Sequence, residues 1–182
     1  YFACFDKAKS QAKEVIDSEL LEPLEPLKPL EPYSSLPPHN AKNARAAIEV
    51  ALRRGHELKR ILEVLPSVVA ELPDRRFQKI RDGLYTDYAH HPTEMGCAVK
   101  MARAITTGKL RVLFQPHRHS RTKALLKDFP VSFKGADEVI LCPTYAAFEP
   151  AVEGGDIADL YKICRDKGLN IMLAQSCFEA WE

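Results

Sequence analysis

Residues Leu110–Thr122 read LRVLFQPHRHSRT, a short apolar run that passes directly into a polar segment rich in histidine and arginine. A second short apolar run, VIL, occupies Val139–Leu141. Such runs are typical of strands in a parallel sheet whose two faces are covered by helices. Around them, predicted helices and strands alternate: helix Pro92–Thr107, strand Leu110–Gln115, helix Ser120–Lys134, strand Glu138–Cys142, helix Ile157–Lys167 and strand Asn170–Leu173. This alternation predicts an α/β domain with a mostly parallel sheet flanked by helices.

The segments on either side of this alternating region also contain prolines and glycines that mark the ends of helices and strands. Proline suits the first turn of a helix, and glycine suits helix ends and tight turns. Before the alternating region we expect two helices and two short strands, and after it one more helix: helices His39–Arg54 and Glu57–Leu65, strands Arg76–Arg81 and Gly83–Asp87, and a last helix from Gln175.

The N-terminal part of the chain differs in composition from the rest. Residues 1–22 predict a helix, because Phe2–Leu21 contains no helix breaker. Residues 23–38 are proline-rich, and LEPLKPLEP at Leu24–Pro32 repeats every three residues, which is the period of polyproline II. Two interpretations stay open: a linker without a partner, or a strap whose leucine stripe lies on a neighbouring surface.

Charge and cysteine content exclude several classes of protein. The formal net charge of +1 gives no reason to expect nucleic acid or an anionic membrane as a partner. No stretch is long and apolar enough to span a membrane, and the first residues lack the features of a signal peptide. The five cysteines are widely spaced and include no C-x-x-C pair, which indicates buried, reduced thiols in a cytoplasmic protein.

Two polar segments lie where a predicted strand passes into a helix: DYAHHPTE at Asp87–Glu94 and FQPHRHSRT at Phe114–Thr122. In an α/β domain this is the carboxyl edge of the sheet, where ligands bind. Arg118 and Arg121 are three residues apart at the start of a helix, so their guanidinium groups can converge on one carboxylate or phosphate. The alternative is a solvated basic face.

Three other candidates have both a functional and a local interpretation. Asn40 and Asn43 lie on one helix face, where an amide can match the adenine edge, but asparagine is also a common helix cap. Asp87 can hold ribose hydroxyls, a magnesium-bound water or an arginine, or it can serve at a helix N-terminus. His90 and its neighbour His91 can equally bond the local backbone. No acid or cysteine stands at ligand spacing beside the histidines, so no metal site is predicted.

Several motifs occur together in one order: HNAKNA, DRRFQ, TDYAHHPTE, RVLFQPHRHSRT and PTYAAFEP. In these motifs, between His39 and Pro150, the chain resembles the alanine-adding Mur ligases of bacterial cell-wall synthesis. The resemblance implies that residues 39–74 are the helical tail of a central ATP-binding domain. It also implies that residues 75–182 are a Rossmann-like, amino-acid-binding C-terminal domain without its last strand.

The resemblance also implies ligands and roles. The reaction expected is ATP- and Mg²⁺-dependent joining of L-alanine to UDP-N-acetylmuramate through an acyl phosphate, in peptidoglycan synthesis. No residue of this chain is assigned a covalent catalytic role. The nucleotide is assigned to Asn40, Asn43, Arg76 and Asp87, and the amino acid to Tyr88, His90, Arg118 and Arg121.

The chain departs from the family pattern in several places. The glycine-rich phosphate loop and the sugar-nucleotide domain are absent, Thr86 stands where a second acid is usual, and Phe148 replaces a glycine. We therefore expect the chain to be part of a ligase, inactive without the N-terminal and central domains. The alternative is a Mur-ligase-like domain recruited as a non-catalytic subunit of a larger assembly, with the N-terminal helix and strap as its attachments.

Overall fold

The computed structural model describes residues 38–70 and 75–181. The chain divides into two compact units, Tyr1–Pro73 and Asp74–Glu182. The predicted N-terminal helix, and all of the proline-rich segment except Pro38, lie outside the described residues. Within the described ranges, no helix has the length and apolar character needed to cross a membrane.

The first unit contains the two expected helices, α1 (Pro38–Arg53) and α2 (Leu58–Ala70). Ile48 of α1 and Leu65 of α2 are buried and belong to one cluster of apolar side chains from the two helices. The prediction ended the second helix too early, because α2 continues past Pro66. A proline inside a helix removes one backbone hydrogen bond, but an apolar stripe that packs on a neighbouring helix can outweigh this loss.

The second unit begins with the predicted hairpin. Strands β1 (Gln78–Arg81) and β2 (Leu84–Thr86) pair antiparallel. Gly83 has a φ of 74°, which glycine adopts without strain, and this explains the turn. Strand β1 starts later than predicted because Phe77 has a φ of 52°, which is incompatible with an extended strand.

Helix α3 (Pro92–Ile105) follows, as predicted. His91 caps its N-terminus, and the His91 side chain accepts a hydrogen bond from the Thr93 amide. The Glu94 carboxylate accepts in return from the backbone N–H of both His90 and His91, at 3.2 and 3.3 Å. This reciprocal cap fixes the point at which the TDYAHHPTE segment enters the helix.

The three remaining strands form a parallel sheet in the order β3 (Arg111–Phe114), β4 (Glu138–Leu141), β5 (Ile171–Leu173). Helix α6 (Ile157–Asp166) connects β4 to β5, and Asp156 caps it. The predicted α/β class with a parallel sheet and flanking helices is therefore confirmed.

Two helix predictions were wrong. The helix expected at Ser120–Lys134 is two short helices, α4 (His119–Ala124) and α5 (Phe129–Ser132). Pro130 explains the break, because a continuous helix would lose a backbone hydrogen bond there and clash with the preceding turn. After Gln175 the backbone forms turns and no regular helix up to residue 181.

The main core lies on one face of the sheet. Alternate strand residues pack there against α3, α5 and α6, in a buried cluster of Met95, Phe114, Phe129, Phe133, Val139, Leu141, Leu160, Cys164 and Ile171. On the opposite face Ile140 packs with Ala180, while Leu113 and Met172 are 39% and 45% exposed. The expectation that helices cover both faces thus holds for one face in the described part of the chain. The expectation that all the cysteines are buried is wrong for Cys177, which is exposed.

Candidate functional site

A cavity of about 470 Å³ opens at the carboxyl ends of β3 and β4. The hairpin side and the sheet side both contribute to its lining: Arg75, Asp87, Tyr88, Ala89, His90, Leu113, Phe114, Gln115, His117 and Tyr145. Residues that follow three different strands meet here. Asp87 and its neighbours follow β2, Gln115 and His117 follow β3, and Tyr145 follows β4.

Asp87 shapes the wall that follows β2. One carboxylate oxygen accepts from the Phe77 amide and the other from the Ala89 amide, both at 2.7 Å. The Tyr88 amide donates to the Arg75 carbonyl at 2.7 Å, and the Arg75 guanidinium lies 4.9 Å from the centre of the Tyr88 ring. These contacts close the base of the β1–β2 hairpin and hold the Tyr88 ring beside the positively charged guanidinium of Arg75.

A row of four rings crosses the cavity. Ring centroids are 5.4 Å apart between Tyr88 and His90, 6.0 Å between His90 and His117, and 5.3 Å between His117 and Tyr145. The backbone holds the far end of this row, because the Tyr145 amide donates to the Pro116 carbonyl at 2.8 Å. The two histidines therefore stand next to each other, between two tyrosines.

Hydrogen-bond partners determine which nitrogen of each imidazole carries the proton. Nδ1 of His90 lies 2.9 Å from the Tyr88 carbonyl, which can only accept, so this nitrogen donates and Nε2 of the neutral ring is an acceptor. Nδ1 of His117 lies 3.2 Å from Nη1 of Arg121, which can only donate. In His117, Nδ1 is therefore the acceptor and Nε2 carries the proton.

The charge of His117 follows from its surroundings. Burial lowers the pKa of His117 below its ordinary value of 6.5, and the guanidinium charges of Arg121 and Arg118 lower it further. The ring is consequently neutral at pH 7, which agrees with its role as acceptor from Arg121.

The two predicted anion-binding arginines have different partners. Nη1 of Arg121 also lies 3.4 Å from the His117 carbonyl, so Arg121 stands behind the ring that lines the cavity. Nη1 of Arg118 lies 3.8 Å from Glu149, whose carboxylate also accepts from the Ser120 hydroxyl at 2.8 Å. The Ser120 hydrogen bond, and after it the Arg118 charge, lower the pKa of Glu149.

Three of the five described non-glycine residues with a positive φ lie in the loops beside these arginines. Arg118, Ala147 and Phe148 have φ values of 73°, 50° and 67°, although none of them is glycine. Phe148 is also fully exposed. Left-handed conformations of bulky residues are costly, and they persist only where surrounding contacts impose them. Here the neighbouring Glu149 is held by α4, and Arg118 donates its amide to the Tyr145 carbonyl at 2.8 Å.

The structure groups some of the predicted site residues around the cavity of the second unit. Asp87, Tyr88 and His90 line the cavity, and Arg121 contacts its lining through His117. Arg76 is exposed and is not part of the lining. Asn40 and Asn43 both lie in α1 of the other unit, half-buried and exposed respectively. The ligand roles assigned to all of these residues stay predictions.

Sequence reasoning assigned no role to the four other lining residues with polar or charged side chains, Arg75, Gln115, His117 and Tyr145. Gln115 directly follows β3, and His117 and Tyr145 lie in the loops after β3 and β4, so position after a strand was the signal that could have identified these three. The Gln115 amide donates to the Pro143 carbonyl at 3.1 Å, which links the ends of β3 and β4. Among the residues that the structure describes, no three or more His, Cys, Asp or Glu side chains are grouped so that they could hold a metal ion.

Comparison with known proteins places this architecture in a family. A family model described as Mur ligase, glutamate ligase domain, matches residues 75–182. UDP-N-acetylmuramate–L-alanine ligase from Xanthobacter autotrophicus is 40% identical over 124 residues, which are 65% of this chain and 26% of that protein. The ligase of the same name from Brachyspira hyodysenteriae is 40% identical over 131 residues, covering 68% and 28%.

A solved structure is also similar. The crystal structure of UDP-N-acetylmuramate–alanine ligase from Thermotoga maritima matches with a TM-score of 0.51 and 25% identity, over 76% of this chain and 30% of that one. The chain thus spans about a quarter of the length of the curated relatives that it matches.

Proposed function

Since this chain belongs to the Mur ligase family, we propose that it is the amino-acid-positioning part of a cytoplasmic, ATP-dependent ligase that joins L-alanine to UDP-N-acetylmuramate in peptidoglycan synthesis. The names of the relatives support the substrates, and the position of the cavity supports the role of this domain. Ligands of α/β domains bind at the carboxyl edge of the sheet, where the cavity lies.

One observation carries the proposal for the amino acid. His90 and His117 stand side by side in the cavity, and hydrogen bonding gives their Nε2 atoms opposite character, acceptor in His90 and donor in His117. An amino acid has groups that match this pair: its amine can donate to Nε2 of His90, and its carboxylate can accept from Nε2 of His117. Arg121 behind His117 adds a positive charge on the carboxylate side.

In the proposed reaction, ATP converts the carboxylate of UDP-N-acetylmuramate to an acyl phosphate, and the alanine amine attacks it to give an amide, ADP and phosphate. The residues of this chain orient the amine and neutralise the carboxylate. Such positioning lowers the barrier without a covalent bond to the protein. The 182 residues contain no glycine-rich phosphate loop, so we expect no ADP formation from this chain alone.

ATP and Mg²⁺ are included in the proposal because of the resemblance to the Mur ligase family. The described residues alone do not form a magnesium site. Hard cations need several oxygen ligands, and no group of three or more suitable side chains exists in the described ranges. Both oxygens of Asp87 already accept backbone hydrogen bonds. The proposal therefore assigns the metal to the complete enzyme and not to the described residues of this chain.

The proposal can be tested by NMR titration of the isotope-labelled chain with L-alanine. Saturable shifts at Tyr88, His90, His117 and Tyr145 are expected, and His117→Gln should weaken them. His119→Gln is the matched control, because Nδ1 of His119 lies 3.2 Å from the Gly155 carbonyl and the residue does not line the cavity. Absence of saturable shifts at tens of millimolar L-alanine would favour the alternative of a non-catalytic, recruited domain.

A further inference from the structure

The loop after β4 (residues 142–156) is joined side by side to the segment that leads from β3 into α4. His117 and Tyr145 form a parallel bridge between them. The Tyr145 amide donates to the Pro116 carbonyl and the Arg118 amide to the Tyr145 carbonyl, both at 2.8 Å. The bridge brings two rings of the cavity lining to a centroid distance of 5.3 Å. Two segments that are distant in sequence therefore form one wall of the cavity.

Glu149 makes a second connection between the same two segments. Its Oε1 accepts from the Ser120 hydroxyl at 2.8 Å, and its Oε2 accepts from the Ser120 amide at 3.2 Å. Nη1 of Arg118 lies 3.8 Å from Oε1. This distance allows attraction between the charges but exceeds the length of a hydrogen bond, so the contact leaves the N–H groups of Arg118 able to bind a ligand. The Glu149 side chain is 23% exposed, so water screens these contacts only in part.

The backbone before Glu149 adopts a costly conformation that its side-chain contacts explain. Ala147 and Phe148 have φ values of 50° and 67°, and the Glu149 amide donates to the Ala146 carbonyl at 3.1 Å. Such conformations persist in non-glycine residues only where surrounding contacts impose them. The Phe148 ring is fully exposed and contributes no packing. The bonds from Ser120 to the Glu149 carboxylate are therefore the contacts that can offset the strain of this turn.

We propose that Glu149 is a positioning residue for the amino-acid site. By joining the loop after β4 to the start of α4, its carboxylate fixes the His117 and Tyr145 rings against each other and holds the Arg118 guanidinium beside them. Glu149 does not line the cavity, so it acts on the ligand through these residues. The inference rests on the proposed function, since it takes the ligand of the cavity to be an amino acid.

Three substitutions separate the contacts of Glu149. Glu149→Gln keeps the shape and one oxygen that can accept from Ser120, but it removes the charge beside Arg118. Ser120→Ala keeps the charge beside Arg118 and removes the hydroxyl donor. Glu149→Ala removes both contacts. Because groups in one hydrogen-bond network do not act independently, the effects of Glu149→Ala and Ser120→Ala should not add in the double variant.

The first measurement needs no ligand. In NMR spectra of the isotope-labelled 182-residue chain, a nuclear Overhauser effect is expected between the rings of His117 and Tyr145. Glu149→Ala should weaken this effect and shift the Arg118 amide, whereas Glu149→Gln should preserve both signals. Glu153→Ala is the matched control, because Glu153 is exposed in the same loop, and it should change neither signal. An unchanged ring contact in Glu149→Ala would overturn the proposal.

The second measurement titrates the same variants with L-alanine. Glu149→Ala should raise the Kd about tenfold, the lower end of the effect of one charge-assisted hydrogen bond, because Glu149 acts through other residues. Glu149→Gln should rescue binding to within about threefold of the unmodified chain, because the connection to Ser120 remains. Tighter binding in both variants would mean that Glu149 competes with the ligand for Arg118, and it would overturn the positioning role.

The unmodified chain distinguishes a failure of this inference from a failure of the proposed function. If the unmodified chain shows no saturable shifts with L-alanine, the proposed function fails and the role of Glu149 fails with it. If the unmodified chain binds L-alanine and Glu149→Ala binds it with the same Kd, only the positioning role is overturned. A rise in Kd that Glu153→Ala shares would also overturn it, because removing any carboxylate from the loop would then have the same effect.

Discussion

Replacing Arg121 by lysine should weaken the use of alanine far more than the use of ATP. Nη1 of Arg121 lies 3.2 Å from Nδ1 of His117 and 3.4 Å from the His117 carbonyl. Lysine keeps the charge, but it offers a point contact on a flexible stem in place of a planar fork. The variant therefore loses the hydrogen bond that holds the His117 ring, and with it the fixed position of the positive charge behind that ring.

The size of the effect follows from one charge-assisted hydrogen bond, which contributes about 1.5–3 kcal/mol. Since about 1.4 kcal/mol is a factor of ten, the KM for alanine should rise roughly tenfold to a hundredfold. Arg118→Lys should act in the same direction but more weakly, because the Arg118 side chain is 49% exposed and lies 3.8 Å from Glu149. Asn40→Ala should do the reverse, raising the KM for ATP and sparing alanine.

The assay requires a complete ligase. We suggest a chimera in which residues 39–182 replace the matching segment of the Thermotoga maritima ligase, with steady-state kinetics for both substrates. Arg111→Lys is the matched control, since Arg111 pairs with Glu138 at 2.5 Å on the sheet and does not line the cavity. An equal loss for alanine and ATP in every variant would refute the division of roles and indicate general destabilisation.

Three further substitutions test the structure itself. Phe148→Asn should raise the free energy of unfolding by about 1 kcal/mol in urea denaturation, because asparagine tolerates the φ of 67° that strains the exposed phenylalanine; a loss of stability would mean that the ring makes a needed contact. Gly155→Ala should lower that free energy by roughly 1–3 kcal/mol, because its Cβ would lie 2.3 Å from the His119 carbonyl oxygen; a neutral result would show that the loop can move away. The hydrogen bond from the Leu110 amide is the largest cause that lowers the pKa of Asp137 below 3.8. The ionised carboxylate therefore stabilises the fold above pH 3.8, and this stabilisation is lost as the pH falls through the lowered pKa of the folded state. Asp137→Asn should thus be less stable at pH 7 and show a shallower loss of stability below about pH 4 in acid unfolding.

Each of these substitutions has a control within the chain. Phe178→Asn removes a ring that is 72% exposed and carries no positive φ. Gly108→Ala adds a Cβ with nothing within 4 Å. Asp166→Asn removes an exposed carboxylate at the end of α6. Small effects in the three controls would attribute the changes to the strain, the close contact and the hydrogen bonds named above.

The elements that could be predicted are those with strong local signals. The apolar runs at Val112–Phe114 and Val139–Leu141 indicated strands of a parallel sheet, and in the structure the two strands are parallel neighbours that pair Val112 with Val139. Pro92 and Gly83 marked a helix start and a turn within a residue or two of where they occur. Signals of this kind act over a single turn or strand, so they are present in the sequence whatever the rest of the chain does.

The segment at Ser120–Lys134 shows where local reasoning failed. Apart from Pro130 its composition suits one helix, yet the helix stops after Ala124 and a second begins at Phe129. Both Phe129 and Phe133 are buried in the core against β3 and β4. Burying two large rings on a sheet offsets the loss of a few helical hydrogen bonds, and that balance depends on strands distant in the sequence.

The sequence alone determined the α/β class, the order of the strands along the chain and the edge of the sheet where polar residues gather. Only the tertiary structure decided the partners of those residues: Arg121 contacts His117, and Arg118 lies toward Glu149. The α/β class and the polar edge of the sheet can be predicted because hydrophobic periodicity and the ends of strands depend on residues that are close in the sequence. The partner of a side chain depends on which distant loop folds back beside it, and no local pattern encodes that choice.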